Sequence, residues 1–194
     1  MRNYKKVFTE MYDKEIWGIG RGSGLGSSSK YCRLYIAFLE KFLKENNIKK
    51  VLDFGCGDWQ FSQHINWGNI NYVGLDIVDL VIKKNGQKFT KPNISFVCDG
   101  DIFRYINLEN QLILIKDVLM HWTNKEIKIF MDKLTCETQN ELILITNSWI
   151  YKGQRPSIEN IYSWAPLDSQ KAPLIKYNPE VVFRWRGSQV SLIR

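Results

Sequence analysis

Short apolar runs alternate with stretches of helical period through most of the chain. The runs are VLDF at 51–54, NYVGLD at 71–76, ISFVC at 94–98, LILI at 112–115 and ELILIT at 141–146. Strands covered on both faces by crossover helices read as unbroken apolar runs of this kind, so the pattern predicts a parallel sheet with helices on both sides. From Ser29 onward, Tyr31, Leu34, Tyr35, Phe38, Leu39, Phe42 and Leu43 form one apolar stripe, which predicts a helix ending near Asn46–Asn47. Thr123 and Glu126 have the spacing of a capping box, and Ile127, Phe130, Met131 and Leu134 follow on one face. Weaker patterns predict helices around 59–66 and 77–85. The pattern breaks after Thr146, where 147–180 is irregular and rich in proline and aromatics. Trp149, Tyr151, Tyr162, Trp164 and Tyr177 argue against disorder there, so 147–180 reads as a lid or wall over a site. VVFRW, a short RGS connection and QVSLIR then predict an antiparallel hairpin at the sheet edge.

With 194 residues, 44% of them apolar and 24% charged, the chain reads as one globular domain over 1–194, with an N-terminal segment at 1–29 that ends in a Gly/Ser loop. No stretch approaches the roughly 18 apolar residues of a membrane span, and MRNYKKVFTEMYDKEIWG lacks the apolar centre of a signal peptide. The expectation is a cytoplasmic protein without a membrane partner. Cys32, Cys56, Cys98 and Cys136 are scattered without a CxxC pair, and His64 and His121 are the only histidines. That set argues against a metal site and against a disulfide framework. The formal charge is +7, and 151–194 holds seven basic but three acidic side chains. Such a tail either attracts an anionic substrate or nucleic acid, or simply keeps the surface soluble.

The sharpest local signal is VLDFGCGDWQ at 51–60, where an apolar run ends in Asp53, Gly55, Cys56 and Gly57. Glycines allow a tight turn and close approach to a ligand, and the helix expected to follow would offer unpaired N–H groups. The third glycine of a pyrophosphate-binding turn would fall at Gln60, so a dinucleotide is the poorer guess. Nineteen residues beyond Gly57, Asp76 is placed either to cap a helix or to accept hydrogen bonds from both hydroxyls of a ribose.

VLDFGCGDWQ, GLDIV, VCDGDIF and LILIKDVLMHW, in that order, resemble the motif set of class I S-adenosylmethionine-dependent methyltransferases over roughly residues 28–146. The resemblance implies a Rossmann-like, doubly wound α/β fold, with a seven-stranded sheet that is mostly parallel and ends in an antiparallel hairpin. It implies S-adenosylmethionine as the cofactor. Asp53, Gly55 and Gly57 would line its methionine part, Asp76 would hold its ribose, Asp101 with Ile102 would meet its adenine, and Cys56 and Ile77 would also belong to the cofactor site. Asp99 is the alternative to Asp101. Lys116 and Asp117 would pass beside the sulfonium and the acceptor.

Methyl transfer is an in-line displacement whose rate comes from positioning and exclusion of water. Beyond these it needs a base. His121, four residues after Asp117, is the best candidate, and the alternatives are a histidine that orients the acceptor or caps a helix. His64 reads as structural. Trp59 and Trp122 are either neighbours of the site or core residues.

WGIGRGSGLGSSSKY at 17–31 is either a flexible linker or a loop that closes over an anionic group. Small bacterial methyltransferases look similar here, with a GSG-x-GS loop, which favours the loop and brings in Arg21, Ser27, Lys30 and Tyr31. On the acceptor side, Lys152, Arg155, Lys171, Lys176, Arg184, Arg186 and Arg194 suit a small anionic or carbohydrate-like molecule bearing a phosphoryl, phosphoramidate or sugar-acid group, as in surface polysaccharide synthesis. An RNA acceptor and a cofactor-binding partner subunit without catalysis are the alternatives.

Overall fold

The stripe that starts at Tyr31 becomes a helix because Ser28 accepts the Tyr31 N–H and caps it, while Cys32, Tyr35, Leu39, Phe42 and Leu43 bury its inner face. The computed structural model describes residues 3–106, 111–138, 141–150, 155, 158 and 163–194. Two compact units result, Met1–Asp101 and Ile102–Arg194.

The first unit opens with α1 (Tyr4–Asp13), capped by Asn3 and absent from the sequence expectations. It is followed by α2 (Ser29–Glu45), β1 (Lys50–Phe54), β2 (Asn71–Asp76), α3 (Asp79–Phe89) and β3 (Ile94–Cys98). The three strands are parallel, with Asp53 beside Gly74 and Asp76 beside Cys98.

Two predicted helices change. The one expected at 59–66 is a 3-10 turn at Ser62–His64. Trp59 takes φ +59°, which no right-handed helix allows, and its ring is buried among Tyr72, Phe89 and Phe96. The gain from burying that ring outweighs a turn or two of solvent-facing helix. The helix expected at 77–85 starts later, because the Asp76 carboxylate accepts the Val78 N–H and keeps 77–78 out of it. It runs on to Phe89 and stops before Lys91–Pro92.

The second unit holds β4 (Gln111–Lys116), α4 (Asn124–Glu137), β5 (Leu142–Ser148), β6 (Glu180–Trp185) and β7 (Ser188–Ile193). All six residues of β4 are buried, which is why it reads as an unbroken apolar run. The predicted capping box of α4 is present, with Thr123 and Glu126 bonding reciprocally. β4 and β5 are parallel, whereas β7 is antiparallel to both β5 and β6. The hairpin turns at Arg186–Gly187, with Arg186 at φ +49°. The strand order is β3-β2-β1-β4-β5-β7-β6, a seven-stranded, mostly parallel sheet flanked by helices. None of the described helices is long and apolar enough to cross a membrane.

Candidate functional site

In the first unit the chain leaves β1 through a turn with Gly55 at φ +79° and Gly57 at φ +55°. Its amides are already spoken for. Gly55 and Cys56 both donate to the Leu75 carbonyl, Gly57 donates to Asp76 Oδ2 at 3.0 Å, and Asp58 donates to Ser23 Oγ at 3.0 Å. The expected row of unpaired N–H groups at a helix start is therefore not formed, since no helix starts there. What the turn does instead is orient a carboxylate. Asp76 takes Gly57 N–H on one oxygen and Val78 N–H on the other, which leaves each oxygen further accepting capacity. Burial raises its pKa above the usual carboxylate range, and the backbone donors oppose that rise.

The Gly/Ser loop is fastened to this turn. Ser23 Oγ donates to Asp58 Oδ1 at 2.6 Å and shares a 2.6 Å hydrogen bond with the Tyr12 hydroxyl, while Gln60 reaches Asp58 and the Arg21 carbonyl. A Cβ on Gly57 would stand 2.5 Å from Ser23 Oγ, and one on Gly22 would stand 1.7 Å from Asp58 Oδ2. Both glycines are thus required by close approach. Burial, with the Asp76 carboxylate in second place, pushes the Tyr12 phenol well up, so it stays protonated. Tyr12, Ser23 and Asp58 were not among the candidates. Asp58 adjoins the glycine motif, Ser23 lies in the Gly/Ser run, and Tyr12 carries no sequence signal.

The remaining candidates of this unit divide. Asp53 is buried and accepts the Tyr72 hydroxyl at 2.6 Å. Cys56 is buried, its thiol raised by burial, and its sulfur would lie 2.9 Å from a Cβ on Gly74. Trp59 belongs to the core and not to an acceptor surface. Ile77 is half-buried against Gly100, and Asp99 Oδ1 takes the Asp101 N–H, an intraloop contact that does not choose between the two aspartates. Ser27 ends a short 3-10 turn, Tyr31 donates its N–H to the Ser28 cap, and the Arg21 side chain lies over Gly18. His64 is exposed.

In the second unit, Lys116 is buried and forms an ion pair with Asp117, which itself adopts φ +57°. A non-glycine residue in that region is strained, and such strain gathers at functional sites. His121 ends a 3-10 turn at Leu119–His121 and is 8% exposed. Burial lowers its pKa, assisted by the Arg155 cation and opposed by a hydrogen bond with the Ser163 backbone and by Asp117. An imidazole so placed is neutral at neutral pH and able to take a proton. Trp122 packs edge-on against Phe130 at 5.0 Å, and Ile102 is fully buried, so its side chain is core and not an adenine contact.

The described part of 147–180 is hydrogen-bonded to its own unit. Ala165 donates to the Met120 carbonyl and Leu167 to the Ser148 carbonyl, and Tyr177 bonds to Lys128 O and Asp132. Tyr151, Lys152 and Tyr162 lie outside the described residues. The predicted basic surface is smaller than expected. Lys176 pairs with Asp132, Arg194 with Glu180, and Arg155 donates to four backbone carbonyls and Asn124. Arg184 stacks over the Trp149 ring at 4.7 Å and is exposed, as is Arg186. Among the described residues, no cluster of three or more His, Cys, Asp or Glu could hold a metal ion.

No protein-family model and no curated protein matches the sequence. Solved structures do match the fold. A SAM-dependent methyltransferase from Anabaena variabilis is 12% identical, with a TM-score of 0.70 over 100% of this chain and 96% of that one. The N-methyltransferase NodS from Bradyrhizobium japonicum, solved with S-adenosylhomocysteine, is 12% identical, with a TM-score of 0.68 over 100% and 98%. Magnesium protoporphyrin IX methyltransferase from Synechocystis, also solved with S-adenosylhomocysteine, is 13% identical, with a TM-score of 0.65 over 99% and 100%. The chain has the Rossmann-like fold of class I S-adenosylmethionine-dependent methyltransferases.

Proposed function

We propose that the protein is a cytoplasmic S-adenosylmethionine-dependent methyltransferase that acts on an oxygen or nitrogen of a small polar, anionic acceptor, such as a phosphoryl, phosphoramidate or sugar group. The observation that carries this reading is Asp76. At the end of β2 its carboxylate is buried, is oriented by backbone donors that include the Gly57 and Val78 N–H groups, and keeps further accepting capacity. A ribose diol matches that need, so the donor set fits the cofactor.

When bound, the cofactor supplies a methyl group on a positively charged sulfonium. Asp76 would accept from the ribose hydroxyls, and Asp101 or Asp99 would meet the adenine. Lys116 pairs with Asp117, and a carboxylate there would stabilise the positive charge of the sulfonium. His121 takes the acceptor's proton, for which its neutral state prepares it. Arg184 and Arg186, the exposed arginines of the hairpin, are the groups that favour an anionic acceptor.

Calorimetric titration with S-adenosylmethionine and S-adenosylhomocysteine, with NAD as control, tests the reading. Micromolar binding of the first two but not of NAD is expected. Absence of binding to all three would overturn it and leave a protein that uses the fold for another purpose.

A further inference from the structure

Arg155 lies in the irregular segment after β5, and its basic side chain is the kind expected to grip an anionic acceptor. The structure uses it differently. A guanidinium has five N–H donors. Here Nε donates to Pro166 O at 3.1 Å, Nη1 to Trp122 O at 3.0 Å and Asn124 Oδ1 at 2.8 Å, and Nη2 to Met120 O at 3.1 Å and Ala165 O at 3.3 Å. Five contacts match five donors, and no fork is left for a phosphate.

The pattern of acceptors is informative. Met120 and Trp122 flank His121, while Ala165 and Pro166 follow closely on Ser163, whose backbone bonds the imidazole. One planar cation thus ties both sides of the histidine's turn to the segment that fixes its ring. The turn is a single 3-10 element of three residues, which has little rigidity of its own. Ala165 N–H to Met120 O, at 3.0 Å, adds a backbone link across the same junction.

We propose that Arg155 is a positioning residue for His121, clamping the carbonyls on either side of it to those beside Ser163 and so fixing where the imidazole points. This rests on the reading of His121 as the base. The charged groups that act on the imidazole are Asp117, itself paired with Lys116, and Arg155. The guanidinium therefore also helps to keep the ring neutral, against Asp117. Lysine, with three donors at one point, cannot span the same five acceptors.

The test is an NMR titration of the histidine rings in the intact protein, in wild type, Arg155→Lys and Arg155→Gln, with no acceptor present. Only two histidines contribute, and exposed His64 in the other unit serves as the internal control. Arg155→Gln is expected to shift the His121 midpoint upward, with His64 unchanged. Arg155→Lys, which keeps the charge, is expected to change the His121 ring shifts through loss of the fork. A folded Arg155→Gln with the wild-type midpoint, or an Arg155→Lys spectrum identical to wild type, overturns the proposal. If Arg155→Gln does not fold, Arg155→Lys decides alone. A His121→Gln enzyme that still transfers methyl groups would remove the base role and leave this titration, read without turnover, unaffected.

Discussion

The glycine turn after β1 and the histidine turn after β4 are both short, irregular and dense in hydrogen bonds, yet they are held in opposite ways. The first is held largely by its surroundings in sequence and sheet: Leu75 and Asp76 of the neighbouring strand take three of its amides, and Ser23 of the Gly/Ser loop takes the fourth. The second is tied from far downstream, by the Arg155 side chain and the Ala165 N–H, which reach carbonyls that every residue possesses. Glycine and aspartate announce the first turn, because few other residues satisfy φ +55° at Gly57 or accept two amides at once. His121 stands out in the sequence, but nothing there announces the residues that hold its turn.

If the first region is a nucleoside cradle, Asp76→Ala has the largest effect of any single change: it deletes the acceptor and leaves the Gly57 and Val78 amides without their partner. Loss of S-adenosylhomocysteine affinity by more than about 100-fold is expected by calorimetry. Retained affinity would place the cofactor elsewhere. In the second region, His121→Ala is expected to leave cofactor affinity intact and to reduce kcat by about 10²–10⁴-fold. The wild-type rate should fall with acid only below the usual histidine range, because burial lowers this pKa. A profile that falls already above pH 7 would contradict the assignment.

Smaller effects sharpen the contrast. Gly57→Ala must adopt φ +55° and clear Ser23 Oγ, so a stability loss of at least about 1 kcal/mol by urea unfolding is expected. Thr123→Ala, which removes the capping box just after the histidine turn, should cost about 1 kcal/mol, or a few degrees of Tm. Glu141, just before β5, gives a pH-dependent control. Its carboxylate oxygens are buried with no partner among the described residues, and burial raises its pKa to about 7 from an ordinary 4.5. The folded state therefore binds a proton that the unfolded chain has shed between pH 4.5 and 7, and stability declines across that window. Glu141→Gln should have the higher Tm above pH 7, with the gap closing toward pH 4.5. Equal Tm values at pH 8 would show that the carboxylate finds a partner in solution.

Legibility followed the range of the interactions. The strands of the sheet, α2 and α4 were visible as apolar runs, a stripe and a capping box, all set by residues within a few positions of one another. The helix expected at 59–66 failed because a distant demand, the burial of Trp59 against Tyr72, Phe89 and Phe96, overrode local periodicity. Helix α1 was missed, since Val7 and Met11 alone are buried along it and make too narrow a stripe to read. The basic tail was legible only as a sum: a count of arginines and lysines says nothing of whether each faces solvent, an aspartate or a row of carbonyls.

The sequence by itself determined the strands, α2 and α4, the glycine turn and the carboxylates that follow it, because backbone sterics and hydrophobic period act over short spans. Only the tertiary structure decided that the turn's amides are consumed, that Ser23 and Tyr12 fill the space beside Gly57, and that Arg155 serves His121. These depend on contacts between residues far apart in the chain, and hydrogen-bonding groups as common as a hydroxyl or a carbonyl leave no trace in sequence of the partner they will meet.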